Sequence, residues 1–523
     1  MANGKEKGKS GTYLLIVGCI LLTKVLGMAR NIFLSASYGT GDEAAVFQAI
    51  SKLPLTLYDV TLGTAIVSAF IPVFNERLQK DGKTAANRFG SNFLGVAGIL
   101  SVIICTVGMI FPRLYVNIVA SGFNDTQMAI AVPMMRWILP IILFATVAYI
   151  FIGILQSYGE FTAPALVSLF TNLTIIVYFL FFDRFFRIGG LAVAFTMGWS
   201  FQLLFLLPFI IRRGFRYTPT LSFGDKDLRK ALILSLPLFV SSLAQPINTL
   251  ISNNLSSGLP DSALSTLNYA YDTYFILAAV FAAAMTNLYF PELSRRFAQG
   301  DGDGAADIGR QMLKTVSAIV LPITAFMAVC GAPIIRLLYQ RGEFTAQNTA
   351  AVAACLCIYC IGMLALSFQE ILNKFYYSMQ KPWLPMTAAL AGIALNIALS
   401  LVFVKVFGNY RLLAWATVIS GWCMAGMLLL FALRCARGLL ARDLWISLGK
   451  TGLASAALAG AAFGVRFFCE NRLGTSFGGT AVTAVCALVA GLAVYFLVLK
   501  LTRSAELDEI LKTLKRKKKG AAS

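Results

Sequence analysis

Long apolar segments return fourteen times along this chain, at residues 12–34, 44–74, 89–111, 128–157, 162–182, 188–211, 229–256, 262–290, 308–335, 346–378, 382–406, 411–434, 446–469 and 477–501. A helix needs about 20 mostly apolar residues to cross the hydrocarbon of a bilayer. Each segment reaches that length, and none alternates as the strands of a membrane β-barrel do. The sequence therefore predicts an all-α integral membrane protein with about 14 transmembrane helices. Composition agrees: 58% of the 523 residues are hydrophobic, 13% are charged, and the mean hydropathy is +0.75. Soluble domains of this size are far more polar.

A formal net charge of +20 raises the question of nucleic acid. The distribution answers it. With the N-terminus inside, the inner segments collect Lys5, Lys7 and Lys9, then Arg77, Lys80, Lys83 and Arg88, then Arg212, Arg213, Arg216 and Lys226. Arg295, Arg296, Arg310, Lys314, Arg434, Arg437 and Arg442 follow on the same side, while the opposite loops hold few. This positive-inside pattern predicts both termini in the cytoplasm and no nucleic-acid partner. Residues 506–514 place Leu507, Ile510, Leu511 and Leu514 on one helical face, ahead of Lys515 and the basic residues 516–519. Such a tail suits an anionic inner leaflet, or serves only to reinforce topology. Cys355, Cys357 and Cys360 share a segment, but the chain has no His. They read as small packing residues, and no metal is expected.

The chain also repeats itself. Phe70-Ile71-Pro72 and the following Arg77 match Tyr289-Phe290-Pro291 and Arg296. Residues 121–127 parallel 341–347, residues 157–164 parallel 378–385, and Gly198-Trp199 parallels Gly421-Trp422. An even number of segments separates the copies, so they are parallel repeats. Transporters built this way hold their site between the halves. The expected organisation is a six-helix N-lobe (1–211), a cytoplasmic linker (212–228), a six-helix C-lobe (229–434), two further helices (435–502) and a basic tail (503–523).

Ionised side chains inside the spans are the next signal, because each costs roughly 2.5–3.5 kcal/mol in hydrocarbon on insertion scales. Such residues face a protein interior or a wet cavity. Lys24, Gly27 and Asn31 fall in one stripe of the first helix, with Arg30 about 60° beyond Gly27. From Lys24 to Arg30 the arc rises about 9 Å. Lys52 and Asp59 lie on nearly one face of the second segment and either pair or join this cavity. Pro54 between them predicts a kink. Asp272 is the lone acid of the eighth segment, a candidate counter-charge or coupling group. Glu370 and Lys374, at i and i+4, are expected to bridge, and Arg466 is expected to snorkel. No phosphate-binding Gly-rich loop with Lys-Ser/Thr occurs. No cofactor is expected, and transport would draw on sodium, protons, membrane potential or substrate supply.

Thr23-Lys24-Val25-Leu26-Gly27-Met28-Ala29-Arg30-Asn31, Lys52-Leu53-Pro54, Phe290-Pro291-Glu292, Arg341-Gly342-Glu343-Phe344-Thr345 and Lys374-Phe375-Tyr376-Tyr377 resemble the MurJ (MviN-type) family, lipid II flippases of the MOP superfamily. The resemblance implies two lobes about a cationic cavity and two extra helices forming a groove for a lipid tail. It implies that Lys24, Arg30 and Lys52 hold the pyrophosphate of a lipid-linked glycan during cell-wall synthesis in a bacterial inner membrane. Membrane lipids and cell-wall synthesis enzymes are the other expected partners. The family's acid in the first helix maps to Asn31, a second-helix arginine to Tyr58, a glutamate to Gly63 and the eighth-helix arginine to Asp272. Other readings stay open: a flippase for a different polyprenyl-linked glycan, a MATE-like drug exporter, a non-transporting cell-wall scaffold, and a membrane enzyme. The last needs acid–base groups on a long outer loop, which the sequence lacks.

Overall fold

Helices fill the apolar segments because, a closed β-barrel apart, no other backbone can satisfy its own hydrogen bonds in lipid. The computed structural model describes residues 2–59, 70–222, 243–259 and 262–503, with positions 224, 229 and 233 between them. Among these residues the chain forms 18 α-helices and no strand. The first nine are α1 (Ala2–Tyr38), α2 (Asp42–Tyr58), α3 (Ile71–Lys80), α4 (Gly82–Ile110), α5 (Pro112–Ala120), α6 (Asp125–Ile138), α7 (Ile141–Ser157), α8 (Thr162–Phe181) and α9 (Asp183–Arg212). Then come α10 (Ala244–Ser257), α11 (Ala263–Ala298), α12 (Gly302–Tyr339), α13 (Ala346–Ile361), α14 (Met363–Ser378), α15 (Trp383–Val402), α16 (Arg411–Cys435), α17 (Arg442–Leu473) and α18 (Phe477–Leu501).

Every one of the fourteen predicted segments contains helix. By length and hydropathy, nine helices among the described residues can cross a membrane, or ten if α13 and α14 form one span bent by 42°. The bend falls at Gly362, where an added Cβ would lie 3.2 Å from the Tyr359 carbonyl oxygen. The predicted tail helix and Gly63 lie outside the described residues.

The chain divides into two compact units at Ser265/Thr266. In the first, α8 packs against both α1 and α9, and α7 against α4, α9 and α2. In the second, α12 carries α13, α14, α17 and α18, while α15 packs on α16. The expected lobe boundary lay before residue 229, yet α10 belongs to the first unit. Its C-terminal end is held there by hydrogen bonds. Asn254 Nδ2 donates to the Asn117 carbonyl at 2.8 Å, Ser121 Oγ donates to Asn254 Oδ1 at 3.0 Å, and the Gly122 amide donates to Ser257 Oγ at 3.0 Å. Gly122 meets Gly258 so closely that a Cβ on Gly122 would sit 2.3 Å from the Gly258 backbone.

The repeat is visible in its ion pairs. Arg77 bridges Asp81 at 2.6 Å, and at the matching position Arg296 bridges Asp301, also at 2.6 Å. Asp301 Oδ1 in addition accepts the Gly304 amide at 2.8 Å and caps α12. The neighbouring guanidinium and this amide hold the Asp301 carboxyl below the usual carboxylate range.

The linker after α9 is pinned. Thr218 N donates to Ser91 Oγ at 3.0 Å, Ser222 N to Asn92 Oδ1 at 2.7 Å, and Asn92 Nδ2 back to the Ser222 carbonyl at 3.1 Å. Asn87 Nδ2 reaches the Gly214 carbonyl at 3.2 Å, and Arg213 bridges Glu160 at 2.6 Å. Polar side chains on α4 thus replace the water that an extended backbone would otherwise bind.

Candidate functional site

Three of the predicted site cations sit on two touching helices of the first unit. Lys24 and Arg30 are on α1 and Lys52 is on α2. Lys24 is exposed, whereas Arg30 and Lys52 are half-buried. The α1 stripe is not uniformly open. At Gly27 the missing Cβ lets α8 approach, with Asn172 Nδ2 at 3.8 Å from where a Cβ would stand. The same Asn172 donates to the Thr23 carbonyl at 3.2 Å. Asn31, one turn beyond Gly27, is covered and only 6% exposed.

That covered Asn31 has a use. Its Oδ1 accepts from Arg30 Nε at 3.4 Å and Nη2 at 3.2 Å. A buried amide that accepts from the guanidinium fixes the direction of the planar fork without cancelling its charge. The carboxylate that the family resemblance places there would have neutralised it. Asn31 therefore helps to orient the Arg30 guanidinium.

Lys52 and Asp59 do not bridge. Asp59 is exposed at the C-terminal end of α2, beside Tyr58, whose ring stacks on Tyr149 at 4.9 Å. Asp59 follows the last turn of α2, whereas Lys52 lies two turns back, beside Pro54 inside the helix. The Lys52 carbonyl accepts Thr56 Oγ1 at 2.9 Å.

Asp272 lies on α11 in the second unit, half-buried among aromatic neighbours. Tyr271 meets the Tyr359 ring edge-on at 5.5 Å, and Tyr274 stacks on Tyr359, also at 5.5 Å. Thr273 Oγ1 pairs with the Tyr339 hydroxyl at 3.0 Å.

Two local expectations give way to tertiary contacts. No salt bridge joins Glu370 to Lys374 among the described residues; the Lys374 ammonium lies 5.9 Å from the ring centres of both Phe290 and Tyr377. Arg466 does not simply snorkel. It bridges Glu470 at 3.1 Å and donates to the Val329 carbonyl of α12. No group of three or more Cys, Asp and Glu suited to a metal occurs among the described residues.

Stacked helices of this number, with ionised groups among the apolar residues, define a multi-pass helical membrane protein. A solved structure described as a lipid II flippase MurJ in an inward closed conformation superposes with a TM-score of 0.79, covering 93% of this chain and 99% of that one at 21% identity. An inward-facing multidrug resistance MATE family transporter of the MOP superfamily superposes at 0.68, covering 82% and 98% at 15% identity. The chain belongs to the lipid II flippase MurJ family, whose sequence model matches residues 34–482. A probable lipid II flippase MurJ of Rhizobium tropici is 28% identical over 527 aligned residues, covering 98% of this chain and 97% of that protein.

Proposed function

We propose that this protein carries lipid II, the lipid-linked peptidoglycan precursor, across the bacterial cytoplasmic membrane for cell-wall synthesis. The observation that carries the reading is the family match over residues 34–482. The physics of the substrate agrees with it. A pyrophosphate head cannot enter hydrocarbon unaided, and three cations on α1 and α2 of one unit suit it. Arg30, aimed by Asn31, offers a bidentate donor fork. Lys24 and Lys52 add point charges.

Translocation would proceed by alternating access, with the head group on protein and the polyprenyl tail left in lipid near α17 and α18. The reaction makes and breaks no covalent bond, so the protein is a transporter and not an enzyme. Energy would come from sodium, protons or membrane potential, with Asp59 and Asp272 as the acids available for coupling. Both termini would lie in the cytoplasm, and cell-wall synthesis enzymes would receive the product.

The test is complementation of a strain depleted of its own lipid II flippase, paired with lipid II translocation in vesicles. Growth and translocation are the expected results. Failure of both, with the protein well expressed in the membrane, would instead favour another polyprenyl-linked glycan. The acid at Asp272, where the family resemblance places an arginine, is the observation on that side.

A further inference from the structure

Glu370 breaks the pattern of α14. Gln369, Ile371 and Leu372 around it are buried, while Glu370 itself is exposed. It lies eight residues, about 12 Å, before the end of the helix at Ser378. At such depth a charged side chain turned to hydrocarbon costs about 2.5–3.5 kcal/mol on insertion scales. Intramembrane carboxylates therefore turn to water or to a ligand. Lys374 follows one turn later on the same face. Glu before Lys at this spacing is the favoured order for a helical bridge, yet the two do not bridge. Phe290 and Tyr377 hold the ammonium instead, each ring centre 5.9 Å away. Cation–π contacts of about 0.5–2 kcal/mol suffice to outweigh a bridge of about 0.2–0.5 kcal/mol.

Two opposite charges therefore stand one turn apart without a direct bridge, their Cβ atoms about 5–6 Å apart. A metal ion would demand several oxygen ligands around Glu370, and no such acid group occurs among the described residues. A ligand with its own ammonium and carboxylate fits better. We propose that Glu370 and Lys374 form a zwitterion-binding subsite on the second unit that takes the peptide of the lipid-linked substrate, its ammonium at Glu370 and its carboxylate at Lys374. This rests on the lipid II reading, since the peptide is what distinguishes that precursor from other polyprenyl-linked glycans.

The test uses the full chain in vesicles with two substrates: lipid II bearing a free side-chain amine on its peptide, and the same lipid N-acetylated there. Wild type should reach half-maximal rate at a lower concentration of the free-amine form. Glu370→Gln should raise that concentration roughly tenfold, the usual scale of one charge-assisted hydrogen bond, and leave the acetylated form unchanged. Glu370→Asp should restore part of the preference. Equal discrimination in wild type and Glu370→Gln overturns the subsite, as does equal loss on both substrates. An effect of Glu370→Gln that appears only as altered sodium dependence assigns the carboxylate to a free cation and also overturns it. If wild type moves neither lipid, the flippase reading fails and takes the subsite with it.

Discussion

The dipeptide Gly-Trp occurs once in each repeat, at Gly198-Trp199 and Gly421-Trp422, and the two copies are packed differently. In the first unit a Cβ on Gly198 would fall 2.8 Å from the Thr171 Cα, so α8 and α9 touch backbone to backbone. At Gly421 the nearest atom is the tip of Gln369, at 3.5 Å. Trp199 is 6% exposed and its indole nitrogen has no hydrogen-bond partner among the described residues. Trp422 is 38% exposed and donates to the Ile361 carbonyl at 3.1 Å. One inherited sequence thus became a tight helix crossing in one unit and a looser, hydrogen-bonded one in the other. The ionised groups diverged as well. Helices α1 and α2 of the first unit carry Lys24, Arg30 and Lys52, with Asp59 at the end of α2, whereas α11 and α14 of the second carry Asp272, Glu370 and Lys374. The lesson is that symmetry of the fold does not carry over to symmetry of chemistry.

The largest test of that asymmetry is charge removal. Arg30→Ala should lower lipid II translocation in vesicles by about 100-fold, the scale of losing charged hydrogen bonds worth about 2–3 kcal/mol. Lys374→Ala in the second unit should cost far less. Equal losses would end the distinction between the units. Next comes packing. Gly198→Ala should destabilise the protein by about 1–3 kcal/mol through overpacking against backbone, read as a lower midpoint in thermal unfolding in detergent. Gly421→Ala should fall within about 0.5 kcal/mol of wild type. A matching drop at both sites would mean the crossings are equivalent after all.

A smaller effect is expected at Asn31. Asn31→Ala leaves the Arg30 charge in place but frees its fork, costing about 1 kcal/mol, or roughly fivefold in half-saturating substrate. Asn31→Asp should not rescue it, because a carboxylate would compete with the pyrophosphate. Titration data on binding of inorganic pyrophosphate to the two variants would separate aim from charge. The smallest effect is on pH. The hydrogen bond and charge of Arg213 hold the Glu160 carboxyl below the ordinary glutamate value. A depressed folded-state value contributes stability above the unfolded pKa of about 4.3 and loses it as pH falls through the folded value. A spin label at Arg216→Cys should therefore stay immobile from pH 7 down to about 5 and gain mobility only below that ordinary value. Being partly exposed, the pair contributes at most about 1 kcal/mol.

The helical plan was legible because twenty-residue apolar stretches leave a membrane chain few alternatives. The short α5 was not, since nine residues between Pro112 and Ala120 fall far short of a span. The membership of α10 in the first unit was hidden too. It depends on Asn254 and on the Gly122–Gly258 approach, contacts between residues far apart in sequence. Lys24, Arg30 and Lys52 stood out at once as charges in apolar runs. The role of Asn31 toward Arg30 needed coordinates, because adjacent residues on a helix do not ordinarily face each other. The supposed Glu370–Lys374 bridge failed for a related reason. Helical spacing identifies a possible partner but is blind to Phe290, which arrives from another helix and takes the ammonium away.

The pinned linker has a mechanical meaning. Electricians clamp a cable just short of its terminal so that a pull never reaches the solder. Ser91 and Asn92 do the same for the polypeptide that leaves α9. Any tug transmitted along it arrives at Ser222, on the flank of α4, and spares the end of α9 and the tight Gly198 crossing behind it.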